Sequence, residues 1–165
     1  MFHVVTGGSG SGKSAFAEQC ILDCQGNKRI YIATMYPFDE ESHRRIARHR
    51  AMRAEKKFTT IERYTDLEHL TIPQGADVLL ECMSNLTANE IYQEGGAGDN
   101  TVKAILNGIH HLLDVRGEVG DGVGLEVLLL DAELVDGILE ALVRGLVKRL
   151  VVEAALVGDH AGQEV

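Results

Sequence analysis

The sequence predicts an α/β domain with a mainly parallel sheet flanked by helices. Short apolar runs at residues 2–5, 29–34, 77–82 and 123–130 read as strands, apolar enough to be buried on both faces. Helix-forming stretches at residues 14–22, 39–53, 86–92 and 101–113 separate them. Turn residues mark the changes, as in Pro73-Gln74-Gly75 before the third strand and Gly95-Gly96 before the helix at 101–113. Strands alternating with helices are what a parallel sheet requires, because each parallel neighbour needs a crossover.

The first strand runs straight into Gly7-Gly8-Ser9-Gly10-Ser11-Gly12-Lys13-Ser14, which fits GxxxxGK[ST] at every fixed position. It follows a predicted strand and precedes a predicted helix, the context a phosphate-binding loop needs. Glycines let backbone N–H groups turn inward towards phosphate oxygens, and the helix N-terminus adds a dipole that favours anions. Lys13 can reach the β- and γ-phosphates, and Ser14 can ligate Mg²⁺. The expected class is therefore P-loop NTPase-like. Such a loop needs an acid near the metal, usually at the end of a neighbouring strand. Glu81 ends Val78-Leu79-Leu80 and suits that place; Asp131, ending Val127-Leu128-Leu129-Leu130, is a weaker candidate.

The helix predicted over 39–53 opens with Asp39, Glu40 and Glu41, where the dipole favours acids. Further along, Arg45, His49 and Arg53 recur at i, i+4 and i+8 and so share one helical face. Guanidiniums bind phosphate bidentately. Nearby positive charge disfavours imidazolium, and a neutral imidazole can act as a nucleophile. Attack on an α-phosphate would give a nucleotidyl-histidine and release pyrophosphate, with the arginines stabilising charge on the phosphoryl oxygens. Spacing alone does not separate this from phosphate binding without covalent chemistry.

Residues 58–62 read as a short extended piece and 66–70 as a helical turn. Residues 94–100 read as a loop, 131–150 as a long helix, and 151–157 as a last strand or a continuation of that helix. At 165 residues and 45% hydrophobic content the chain fits a single domain, residues 1–165, with a core of its own. The net charge of −9 argues against general nucleic-acid binding. The charge is uneven, however. Seven Lys and Arg lie between His43 and Lys57, against Glu55 alone, so the ligand expected there is a local anion. No apolar run is long enough to span a membrane, and the N-terminus carries no signal-peptide pattern, so a cytoplasmic protein is expected. Cys20, Cys24 and Cys82 form no paired zinc pattern and read as reduced thiols. His110-His111 reads as surface or core filling ahead of a metal site. From Asp114 to Val165 the chain has no Phe, Tyr, Trp, Ser, Thr, Asn, Pro, Cys or Met. That half keeps the secondary-structure pattern with few functional groups.

In this order the residues resemble a known family, the bifunctional adenosylcobinamide kinase / adenosylcobinamide-phosphate guanylyltransferases of cobalamin biosynthesis. The resemblance rests on VVTGGSGSGKS at the start, YIAT at 31–34, RIxxHRxxR at 45–53, Thr60-Ile61-Glu62, and LLEC at 79–82, and covers roughly residues 1–113. It implies a P-loop fold, ATP and GTP as substrates, Mg²⁺, and a homo-oligomer, a trimer. It implies phosphorylation of the aminopropanol hydroxyl of adenosylcobinamide, then transfer of GMP from GTP to that phosphate, giving adenosylcobinamide-GDP. The guanylyl group passes through a histidine, here His49. Nucleotide-binding positions fall on Gly7, Gly8, Ser9, Gly10, Ser11, Gly12, Lys13 and Ser14; on Ala33, Thr34 and Met35; on Arg50, Ala51, Met52 and Arg53; and on Glu62 and Glu81. Ser14 and Glu81 are the expected metal-linked pair. Ala54 stands where the family usually has Pro, and Glu81 where Asp is common. The residues after 123–130 lack the family's usual Asn-Glu-Val-Gly type motif. A P-loop kinase without guanylyl transfer, or a nucleotide-binding module that has lost turnover, remain alternatives at this point.

Overall fold

The structure, a computed structural model, describes residues 2–7, 11–24, 26, 28–114 and 126–131; for Arg45, Met52 and residues 126–131 it describes the backbone alone. The expected helix at 131–150 and the segment at 151–157 lie outside the described residues, apart from Asp131.

Five parallel strands form one sheet in the order β1-β5-β4-β2-β3 among the described residues. They are β1 (Phe2–Gly7), β2 (Arg29–Ala33), β3 (Phe58–Glu62), β4 (Asp77–Glu81) and β5 (Glu126–Asp131). The helices are α1 (Lys13–Asp23), α2 (Glu40–Glu55), α3 (Met83–Tyr92) and α4 (Thr101–Asp114), with 3-10 turns at Leu67–His69 and Gly98–Asn100. The expected fold class is what forms. The extended piece at 58–62 proves to be β3, paired with β2 from Arg29↔Phe58 to Ala33↔Glu62.

β2 and β4 lie inside the sheet, and their composition explains it. Ile30, Tyr31 and Ile32 are all buried, as are Val78, Leu79 and Leu80, so these strands are apolar on both faces. Each such fully buried Leu or Ile contributes about 1.5–3 kcal/mol relative to exposure. α1 covers one face with Ala17 and Ile21, which join Tyr31, Phe58, Leu79 and Cys82 in a common cluster. Two α1 side chains on that face are apolar; between them sits Glu18, which is buried as well.

Register sets the functional edge. Ala33 pairs with both Glu62 and Glu81, so the C-terminal ends of β3, β2 and β4 form one row. Gly7 pairs with Asp131 at the end of β1 and β5. Ligands of open parallel sheets bind outside these carboxyl ends, where crossovers change direction.

Thr34 extends the β2–β4 seam past the strands. Its Oγ1 accepts from Cys82 N and donates to Cys82 O, both at 2.8 Å. Asn89 Nδ2 donates to Thr34 O at 2.8 Å, which ties in α3. The Glu81–Cys82 peptide is cis. α3 begins at Met83, three residues before the expected start at 86. Its N-cap is Cys82, which makes no side-chain cap bond, so the sequence carries no capping signal there. Among the described residues no helix is long and apolar enough to cross a membrane.

Candidate functional site

Gly7 and Ser11 lie close together. A Cβ on Gly7 would lie 2.8 Å from Ser11 Oγ. Gly12 opens α1 at φ +85°, a conformation glycine adopts without steric cost. Gly8, Ser9 and Gly10 lie outside the described residues. Lys13 and Ser14 are the first two residues of α1, so the helix N-terminus and the lysine share one end of the sheet.

Ser14 and Glu81 meet directly: Ser14 Oγ donates to Glu81 Oε1 at 2.7 Å. The other carboxylate oxygen, Oε2, accepts from Tyr31 Oη at 2.6 Å and from Arg53 Nη2 at 3.1 Å. Glu81 thus joins the P-loop helix, β2 and α2 at one carboxylate. Burial, then the charge of Glu81, pushes the Tyr31 phenol well above its ordinary range, so Tyr31 stays a donor. The Arg53 guanidinium also lies over the Tyr31 ring, its Cζ 3.4 Å from the ring centroid.

α2 brings the basic residues to this carboxylate. Asp39 caps it by accepting from Ser42 N at 2.7 Å, and that bond holds the Asp39 carboxyl below its ordinary range. Four turns on, Arg53 enters the core, only 6% exposed. Its Nε donates to Glu18 Oε1 at 3.4 Å, and its Nη2 lies 3.4 Å from His49 Nδ1. Arginine only donates, so this contact calls for a lone pair on Nδ1 and a neutral ring with its hydrogen on Nε2. Lys56 Nζ donates to the other oxygen of Glu18.

The remaining expected positions divide. Arg50 pairs with Glu62, and Glu62 also accepts from Tyr64 Oη at 3.1 Å. Arg50 and Glu62, with Ala54, Phe58 and Thr60, line a hollow of about 460 Å³. Ala51 is exposed on the same helix. Ala33 ends β2, while Thr34 is buried and bonded to both backbone groups of Cys82. Met35 lies at a separate groove of about 390 Å³, where Tyr36, Phe38, Asn85 and Tyr92 also contribute. The expected site residues His49, Arg53, Ser14 and Glu81 are therefore brought together. Arg50 with Glu62, and Met35, open onto separate hollows.

Two contributors were not legible as site residues. Glu18 reads as a helix former, yet it lies between Ala17 and Ile21 on the buried face, and a carboxylate there needs a cation. Tyr31 reads as strand packing, and its hydroxyl bond to Glu81 depends on a register no single strand shows. His111 Nε2 donates to Leu70 O at 2.8 Å, a structural bond. Among the described residues no three His, Cys, Asp or Glu side chains gather as a metal site.

A phosphate loop at the end of one parallel strand, an acid at the end of another and a basic helix tied to that acid define an α/β protein of the P-loop type. Residues 3–130 match the family described as cobinamide kinase / cobinamide phosphate guanyltransferase, and the chain belongs to that family. It is 39% identical over 102 residues to a bifunctional adenosylcobalamin biosynthesis protein CobU of Escherichia coli (strain K12). It is 35% identical over 102 residues to the protein of that name from Salmonella typhimurium (strain LT2). Each alignment covers 60% of this chain and 55% of the relative, so the chain spans about half the length of the curated relatives it matches.

Proposed function

We propose that this chain phosphorylates adenosylcobinamide and then transfers GMP from GTP to adenosylcobinamide phosphate, giving adenosylcobinamide-GDP. The observation that carries this reading is the placement of His49 by Arg53, whose guanidinium also meets Glu81 and, through it, Ser14 of the P-loop. A nucleotide seated on the loop would have its phosphates beside an imidazole one helical turn from a buried arginine.

In the first reaction the aminopropanol hydroxyl attacks the γ-phosphate of ATP or GTP, the nucleoside diphosphate leaves, and the hydroxyl proton is lost. In the second, the unprotonated nitrogen of His49, Nδ1, turns off Arg53 Nη2 and attacks the α-phosphate of GTP. The P–N bond forms as the bond to the β-phosphate oxygen breaks and pyrophosphate leaves. A phosphate oxygen of adenosylcobinamide phosphate then attacks the same phosphorus and displaces the imidazole. Gly7 to Ser14 bind the phosphates, Lys13 offsets their charge, and Arg50 supplies a guanidinium at the surface hollow. Arg53 orients His49. Ser14 Oγ and Glu81 Oε1 are hard oxygen donors side by side, which fits Mg²⁺, and the ion would supply charge neutralisation to the phosphates. Ala33, Thr34, Met35, Ala51, Met52 and Glu62 complete the proposed nucleotide contacts. A trimer in the cytoplasm is part of the same reading.

The test uses GTP labelled at the α-phosphate, incubated with protein and Mg²⁺ and then denatured. An acid-labile label on the chain that vanishes in His49→Ala is expected. GTP binding with no adduct would leave a kinase or a silent nucleotide binder.

A further inference from the structure

Glu18 is a buried carboxylate that the proposed reaction does not use. Its side chain is 12% exposed, on the helix that begins with the P-loop lysine and serine. It is bonded to Arg53 of α2 through Oε1 and to Lys56, just past the end of α2, through Oε2. Arg53 is held on three sides. Glu18 takes its Nε, Glu81 takes its Nη2, and the Tyr31 ring lies beneath the guanidinium plane. A planar guanidinium fixed at Nε and stacked on a ring has its Nη2 direction set. That Nη2 is the group facing His49 Nδ1.

We propose that Glu18 is a positioning residue that acts on His49 through Arg53. By taking Nε, it turns the Arg53 fork so that Nη2 bridges Glu81 and His49. The imidazole then stays neutral, with its hydrogen on Nε2. Without Glu18 the guanidinium is free to turn about its stem towards Glu81 alone, and the contact from Nη2 to His49 Nδ1 is lost. Lys56 shares Glu18 through its other oxygen and not the Arg53 fork, so it separates this role from simple docking of α2 on α1. The chemical consequence rests on the reading of His49 as the guanylyl carrier; the geometric one does not.

The experiment compares Glu18→Leu and Lys56→Met with the wild type in full-length protein. One readout is the pair of ring-nitrogen shifts of His49 in ¹⁵N-histidine-labelled protein, assigned by their loss in His49→Ala. The other is the rate of label transfer from α-labelled GTP. Glu18→Leu is expected to shift the tautomer balance and slow adduct formation by about 10- to 100-fold, the usual effect of a misplaced reacting group. Lys56→Met should match the wild type in both. Wild-type nitrogen shifts in Glu18→Leu, or the same changes in Lys56→Met, would overturn the inference. If the wild type forms no adduct, the guanylyl-transfer reading falls, and the nitrogen shifts alone decide this one. Glu18→Asp, which withdraws the carboxylate by one methylene, carries the same expectation should Glu18→Leu not fold.

Discussion

Ser14 Oγ donates to Glu81 Oε1 at 2.7 Å, joining residues 67 positions apart. One belongs to the helix that follows the phosphate loop, the other to the end of β4. That carboxylate also accepts from Tyr31 and Arg53, so three donors converge on two oxygens. In Glu81→Gln a single carbonyl oxygen must serve those donors, while the new NH₂ faces one of them. Arg53 keeps Glu18 but loses its second anion. Removing one partner of a buried ion pair costs about 3–5 kcal/mol. With Glu18 retained, a loss of about 3 kcal/mol is expected, the low end of that range. Urea denaturation should show it, and Mg²⁺-dependent GTP affinity should fall with it. Wild-type stability together with wild-type Mg²⁺ dependence would refute the central place given to Glu81.

Lys13→Ala removes the loop's only side-chain cation while leaving the helix start intact, since alanine favours helix. Nucleotide affinity should drop by about tenfold or more, the loss of one charge-assisted contact of about 1.5–3 kcal/mol. Titration with GTP measures it, and an unchanged circular dichroism spectrum confirms the fold. Unchanged affinity would sink the P-loop assignment.

The strands were legible because their signals are local. Apolar runs and turn residues such as Pro73-Gln74-Gly75 act within a few residues. Glu81 could be placed at the end of β4 because it closes an apolar run. The sheet order β1-β5-β4-β2-β3 was not legible, since no local pattern says that β5 lies between β1 and β4. Thr34 shows the same limit from the other side. Its hydroxyl bonds both backbone groups of Cys82, 48 positions away, a link that no local pattern gives. Arg53 reads in the sequence as a phosphate-binding cation on the His49 face, and only the buried carboxylates of Glu18 and Glu81 explain why it goes inward.

Asp66 and His69 bracket the 3-10 turn, with His69 Nδ1 2.5 Å from Asp66 Oδ1. Asp66 sits at φ +55°, which aspartate tolerates better than most residues. The His69 bond holds the Asp66 carboxyl below its ordinary 3.8, and Asp66 holds the His69 ring above its ordinary 6.5. The histidine's contribution is whole below 6.5 and is lost as pH rises through its raised value. The aspartate's is whole above 3.8 and is lost as pH falls through its lowered value. The pair therefore helps most between these limits, at about pH 4 to 6.5. Both side chains are largely exposed, so the effect on unfolding is small and salt-sensitive. The direct check is a proton NMR titration. His69 should titrate above 6.5 in the wild type and lower in Asp66→Asn; equal midpoints would remove the ion pair from the account.

Gly108 tests the packing of α4 on the turn that holds Leu67. Two effects of Gly108→Ala oppose each other. In a helix interior, alanine is favoured over glycine by about 1 kcal/mol. But a Cβ at 108 would lie 2.6 Å from Leu67 Cβ, 3.1 Å from its Cγ and 3.2 Å from its Cδ2. The nearest of these atoms is anchored to the backbone and cannot swing aside as a flexible chain end would. Leu67 is 1% exposed, so relief requires α4 and the turn to separate. Overpacking of this kind costs about 1–3 kcal/mol. The clash should outweigh the propensity gain, and thermal unfolding should show a lower Tm. A raised Tm would mean that the turn shifts without cost, and that the close approach of α4 to Leu67 does not depend on glycine.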